Sequence, residues 1–473
     1  MSDFYLHFSH FIKRECKDAT FFCSYQKKSQ FLAVKLSKMS KNEFFSTMKM
    51  PFCLILLHLL TLKNVSRGYR LHFNAYLCNS MKRALLYIWI SCLSLLSLHA
   101  QTDSLKVSLL TCGPGQEVYN LFGHSAIRVK NEATGVDYVF NYGIFSFQTP
   151  NFVLRFCLGQ TDYQLGIQYY DEFVWNYELQ GRFVHEQVLN LSPEERVQLA
   201  VLLEENYKPA NRTYRYNYFY DNCATRPRDM IERAVNGQVE YQEDMDTPLK
   251  GLTYRKLVHD YTKRYAWSRF GIDLLLGSEA DKPVSRRASM FVPFQLEHYF
   301  STAQKVDSHQ THTELTAETI SILEQDESGW PAPTPFTPLR VFLLFFIVIA
   351  GLTIWGIKQR KCLWGLDFIL FFTAGVAGCI ITFMVSFSEH PAVSPNWLLL
   401  AFHPLHLICL PMMLRKVRKL QKSHYLTANT IVLTLFLAFW ALIPQEFPIE
   451  VLPLAAILLI RSISNFILSY QKT

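Results

Sequence analysis

A cysteine, a histidine and an asparagine carry the chemistry this sequence could do. Cys223 stands in YNYFYDNCATRPRD, Tyr216–Asp229, among asparagines, tyrosines and arginines. A free cysteine that merely fills a core behaves as a small buried hydrophobe and keeps apolar company. Here Asp221 and Asn222 precede the thiol, and Thr225, Arg226 and Arg228 follow it. Nearby cations favour the thiolate, the nucleophilic form. A helix expected from Ala224 to Val235 would add the positive end of its dipole. For Cys223 alone, a structural cysteine in a polar turn is the competing reading. A thiol nucleophile needs a base, usually histidine, and a polar group that orients the base. His124 lies in GHSAI, at a glycine turn opening an apolar strand, and Asn141 lies in the next strand, YVFNYG. A hairpin would bring Asn141 beside His124 to hold the second ring nitrogen. Taken singly, His124 reads as a satisfied structural histidine and Asn141 as a turn amide. The three motifs in this order are far more specific than any of them alone. Asn222 and the backbone N–H of Cys223 are candidates for an oxyanion site. Arg226 and Arg228 could hold a phosphate group; ion pairing, of Arg228 with Asp229 or Glu232 for instance, is the alternative.

The elements that must position these residues are legible in outline. VSLLTC (107–112), Ser125–Val129 and YVFNYGIF (138–145) read as strands, the last two joined by the turn 131–137. Ser192-Pro193-Glu194-Glu195 opens a helix with a serine cap, a first-turn proline and acids at the positive end, running to about Tyr207.

Around this middle region the chain changes character. From Met81, MKRALLYIWISCLSLLSLHAQ has a basic start, an apolar run from Ala84 to Leu98 and a small residue, Ala100, at a cleavage position. That is a secretory signal. The expected organisation is an upstream over-extension at 1–80, a signal peptide at 81–100, an exported domain at 101–300, a tether at 301–338 and a membrane bundle at 339–473. A cytoplasmic extension anchored by 84–98 is the alternative for the N-terminus. Five apolar segments, near 339–357, 366–387, 397–414, 426–443 and 449–469, each approach the length that crosses a ~30 Å hydrocarbon core. With the middle domain exported, Lys358, Arg360 and Lys361, then Arg415, Lys416, Arg418, Lys419 and Lys422, fall in cytoplasmic loops. The loops SEHPAVSPN and PQEFPIE, without Lys or Arg, fall outside. This agrees with the positive-inside rule and puts the C-terminus in the cytoplasm of a multi-pass inner-membrane protein.

The net charge of +8 does not indicate nucleic acid, because much of it lies in membrane-flanking loops and in the first eighty residues. Of 11 cysteines, Cys112, Cys157 and Cys223 fall in the middle domain, leaving Cys112–Cys157 as a weak candidate bridge. His185-Glu186 begins like a zinc motif, but Leu189 stands where the second histidine belongs. His403 and His406, beside Pro404 in a span, read as local pairs, and His390 as a solvated loop residue. No phosphate-binding glycine loop is present, and no cofactor is implied.

The order His, polar residue on the next strand, then Cys at a later helix start resembles the permuted papain-like proteins, including the lecithin–retinol acyltransferase type and NlpC-like enzymes. More narrowly, GHSAIRV, FNYGIF and YNYFYDNCATRPRDMI resemble the Lnb N-terminal periplasmic domain of Bacteroidetes, which precedes a membrane bundle. The resemblance extends over roughly 105–470, including HPAVSPNW and HPLHL. It implies an α+β permuted papain-like domain followed by an all-α bundle of five transmembrane helices. It also implies a lipoprotein N-acyltransferase with His124 and Cys223 as the catalytic pair; Asn141 matches the third position of the wider superfamily by order. The partners implied are a phospholipid acyl donor and diacylated lipoproteins. A membrane-anchored thiol hydrolase, acting as peptidase, amidase or phospholipase, would use the same pair. A non-catalytic assembly protein would need neither residue.

Overall fold

The computed structural model describes residues 104–330 and 332–470. The over-extension and signal peptide read from the sequence lie outside the described residues.

Apolar runs build a seven-stranded sheet. Its strands are β1 (Leu105–Cys112), β2 (His124–Asn131), β3 (Val136–Ile144), β4 (Asp162–Tyr169), β5 (Val184–Leu189), β6 (Thr213–Arg215) and β7 (Thr316–Leu323). The order across the sheet is β7-β5-β1-β2-β3-β4-β6. Val107, Leu109 and Leu110 of β1 are fully buried, as a central strand covered on both faces requires. β5 pairs antiparallel with β1, Cys112 opposite Val184. β3 pairs antiparallel with β4, Asn141 opposite Gly166. At the β2–β3 turn, Asn131 Oδ1 accepts from the N–H groups of Ala133 and Thr134.

Around the sheet lie α1 (Phe152–Cys157), α2 (Pro193–Tyr207), α3 (Thr225–Ala234), α4 (Tyr254–Thr262) and α5 (Ala266–Leu275). α2 starts in the expected capping box: Ser192 accepts from the Glu195 N–H, and Glu195 accepts from the Ser192 N–H. α3 begins and ends within a residue of expectation.

The tether expected at 301–338 is corrected in its first part. Thr316–Leu323 is an edge strand of the main sheet, antiparallel to β5, with Ile320 opposite Glu186. Polar residues at Thr316, Glu318, Thr319 and Ser321 gave the segment a linker-like composition. An edge strand tolerates them because one side faces water. The Cys112–Cys157 bridge is not formed; both cysteines are free.

The C-terminal region is helical. α6 (Pro338–Lys358), α7 (Trp364–Phe387) and α9 (Val451–Tyr470) are long and apolar enough to cross a membrane, and α8 (His424–Ala438) is a shorter apolar helix. The 397–414 stretch is not one helix. It breaks into Trp397–Leu400, Leu405–Ile408 and Leu410–Arg418. Pro404 and Pro411 lack the N–H that would continue an α-helix through them. Inside the bundle, buried Arg461 of α9 donates to Asp367 of α7 at 2.8 Å and to Thr353 of α6 at 3.1 Å. Asn465 adds a bond to the same carboxylate at 3.2 Å.

Candidate active site

The GHSAI motif turns where only a left-handed backbone serves. Gly123 has φ of 80°, and a Cβ there would lie 2.6 Å from the Cys112 carbonyl oxygen. Glycine alone avoids both penalties. The turn delivers His124 as the first residue of β2. From the neighbouring β3, Asn141 meets it: His124 Nε2 lies 3.1 Å from Asn141 Oδ1. An amide oxygen accepts, so this nitrogen carries the proton and Nδ1 is left as the basic atom.

Cys223 lies just ahead of α3. Its sulfur lies near the backbone N–H of Ser125, the residue after His124, and near its own N–H, and both favour the thiolate. A Cβ on Gly143 would come 3.4 Å from Cys223 Cβ, so β3 passes close against the thiol. The fold therefore brings the starts of β2 and α3 and the end of β3 to one place. Among the described residues no hydrogen bond joins the thiol to the imidazole.

Burial dominates the electrostatics. It pushes the Cys223 thiol up to about 11, against the lowering effect of the two N–H groups and of the Arg182 guanidinium. It holds His124 down at about 4; the Asn141 bond acts in the opposite sense and Arg182 in the same sense. Both groups are neutral at physiological pH.

This corrects the expected thiolate. Arg226 donates to both oxygens of Asp221, at 2.6 and 2.7 Å, and lies 3.5 Å over the Tyr214 ring. Arg228 pairs with Asp229 at 2.8 Å. Their charge is spent locally, so the ion-pair alternative describes both arginines. Asn222 is corrected too. Its Nδ2 donates to the carbonyls of Tyr218 and Phe291, and its Oδ1 accepts from the N–H groups of Ala224 and Thr225. With both amide hydrogens engaged, it caps α3 and has none for an oxyanion. That duty can fall to the N–H groups of Ser125 and Cys223, which face the sulfur.

Arg182 was missed in the sequence. It is 5% exposed, donates to the Gly113 carbonyl at 2.8 Å and to Gln180 Oε1 at 3.1 Å, and packs over the Tyr177 ring. Its Nη2 is buried without a hydrogen-bond partner among the described residues. Tyr163, Tyr216 and Tyr218 were also missed; each lies close enough to Cys223 for the sulfur to raise its pKa further, beyond the larger effect of burial. An arrangement of thiol, oriented imidazole and N–H donors in an aromatic enclosure can take up an acyl group and hold its tetrahedral intermediate.

Two family descriptions match the chain in tandem. Residues 97–260 match the Lnb N-terminal periplasmic domain, and residues 329–473 match the Lnb transmembrane domain. Neither the search of curated proteins nor that of solved structures returned a match. The matched segments contain the His124, Asn141 and Cys223 motifs and the three span-length helices found among the described residues. The chain belongs to the Lnb family, with its periplasmic domain joined to its membrane domain.

Proposed function

We propose that the protein is a lipoprotein N-acyltransferase that works through a Cys223 thioester. The observation that carries this reading is the seat of the thiol: near two backbone N–H groups, one of them that of Ser125, which directly follows the oriented His124, in a domain continuous with helices of membrane-spanning length. In the first half-reaction, the sulfur bonds to the carbonyl carbon of a phospholipid ester and the ester C–O bond breaks. His124 takes the thiol proton and passes it to the departing lysophospholipid oxygen. In the second, the α-amine of a diacylated N-terminal cysteine attacks the thioester, the C–S bond breaks, and the amine proton returns through His124 to the thiol. Asn141 fixes the imidazole tautomer throughout. The N–H groups of Ser125 and Cys223 hold the oxyanion of each intermediate. No cofactor enters either step.

Both substrates are anchored in a bilayer, which accounts for a catalytic domain carried on a membrane bundle. The reading includes a permuted papain-like fold, a multi-pass inner-membrane location and a cytoplasmic C-terminus, the last supported by the basic loops. It is tested by mass spectrometry of a diacylated lipopeptide incubated with phospholipid and the membrane-embedded protein. A gain of one acyl group, abolished by Cys223→Ala, is the expected result. Release of free fatty acid without that gain would identify a thiol hydrolase instead.

A further inference from the structure

We propose that the groove between the 147–157 segment and the C-terminal half of α7 is the acyl-chain site, taking one fatty acyl chain of a membrane phospholipid and leading its ester toward Cys223. The proposal rests on the acyl-transfer reading and names where the donor enters. The groove has a volume of about 1010 Å³, at the upper end of the ~300–1,000 Å³ usual for small-molecule sites. Phe147, Val153 and Leu154 form one wall; Ile380, Phe383 and Met384 form the other. Phe147, Val153, Leu154 and Ile380 are 63%, 73%, 51% and 52% exposed, and no residue of α1 is buried. So much apolar surface in one place marks a binding or membrane-contact surface. One wall is itself a helix of membrane-spanning length and composition. A helix of that length and composition meets lipid hydrocarbon where it spans, so the occupant assigned to the groove is a lipid chain.

A chain of packed aromatic rings runs between this groove and the thiol. A Cβ on Gly143 would lie 3.4 Å from Cys223 Cβ and 3.8 Å from the Tyr216 ring, so both side chains sit close to this point of β3. Tyr216 stacks on Tyr163 at 4.1 Å, Tyr163 on Phe145 at 4.9 Å, and Phe145 on Phe152 at 5.5 Å. Phe145 also meets Phe147 edge-on at 4.9 Å. Phe147 and Phe152 line the groove. Nearby, Arg155, Asp162, Arg215 and Glu389 form one chain of ion pairs. A polar rim beside an apolar groove repeats the layout of a phospholipid, head group then chain.

The test uses the full protein in phosphatidylethanolamine vesicles containing a phospholipid with a diazirine in one acyl chain. After irradiation, labelled peptides are mapped by mass spectrometry. The expected result is labelling of 147–157 and 379–384 at least fivefold above that of the exposed apolar residues Ile347 and Ile431, reduced by Ile380→Trp and retained in Cys223→Ala. Equal labelling of all four regions would overturn the proposal, as would unchanged labelling in a folded Ile380→Trp protein. Thioester formation on Cys223 is followed in parallel. Groove labelling without a thioester would leave the lipid site standing and remove the acyl-transfer reading. A thioester without groove labelling would do the reverse.

Discussion

Cys223 and His124 rest as thiol and neutral imidazole because burial moves their pKa values apart, to about 11 and about 4. In the proposed reaction the proton is then transferred as the sulfur attacks, by general base catalysis, which commonly contributes about 10²–10⁴ in rate. The sign of the pH dependence follows. A lowered imidazole pKa keeps the base form available in mild acid, so Cys223 acylation should stay level below pH 6.5 and fall only toward about pH 4. The buried Arg182 cation disfavours imidazolium and favours thiolate, so Arg182→Gln should move both limbs of the pH–rate profile upward. Single-turnover acylation followed by intact mass would show this. A slower rate with unmoved limbs would mean that Arg182 is only packing. The candidate residues His124, Asn141 and Cys223 stood out in the sequence because each sits in a local motif: a glycine turn, a polar strand position, a polar segment before a helix. Arg182 was not, because its place depends on β5 pairing with β1, where Val184 faces Cys112 across distant sequence.

At the scale of elements, α2 is fastened through Glu195. Its carboxylate accepts from the Ser192 N–H, from the Asn236 N–H just beyond α3, and from Lys305 Nζ at 2.7 Å. Ser192→Ala removes one cap and should cost about 1 kcal/mol. Glu195→Ala strands the half-buried Lys305 and the Asn236 N–H together and should cost more, about 3 kcal/mol. Chemical denaturation of the two variants side by side would check the order; equal losses would contradict it. The cap was readable from Ser192-Pro193-Glu194-Glu195 alone. The bond to Lys305 was not, since it joins residues 110 positions apart. Strand β7 escaped for a related reason: its pattern has meaning only once the β5 edge is there to receive it.

For the whole molecule, the periplasmic domain and the membrane helices share a packed boundary. Phe270 of α5 belongs to the same buried cluster as Leu370, Phe371 and Leu398 of the membrane region. Asn396 donates to the Leu274 carbonyl at 2.9 Å, and Gln445 to the Leu276 carbonyl at 3.2 Å. Arg255, 1% exposed, braces this corner through Asp273 and Asp281. Deeper in the bundle, Arg461 and Asp367 are a buried ion pair, and breaking one side should be costly. Arg461→Ala is expected to destabilise the bundle by about 3–5 kcal/mol, while Arg461→Met with Asp367→Leu should recover most of that. Thermal unfolding in detergent would test the pair; a double variant as weak as the single one would count against it. Sequence hydropathy located the apolar segments but not the break at 397–418, because it averages over the prolines that interrupt the backbone ladder.

One seam has a consequence for biogenesis. The last carbonyls around α1 are met by residues that follow α7: Phe156 by His390 Nε2 at 2.8 Å, Cys157 by the Ser388 hydroxyl at 2.7 Å, and Leu158 by the Glu389 N–H at 2.9 Å. Gly159 then turns with φ of 73°, its absent Cβ leaving room for the Glu389–His390 backbone. During synthesis this end of α1 exists long before its partners emerge. Until then the Cys157 and Leu158 carbonyls lack these donors, so the edge is completed only when the segment after α7 arrives. A chain stalled or cleaved before that point would carry Cys223 without a finished groove, so on the acyl-transfer proposal a truncation ending before Ser388 is expected to form no thioester, which intact mass would check.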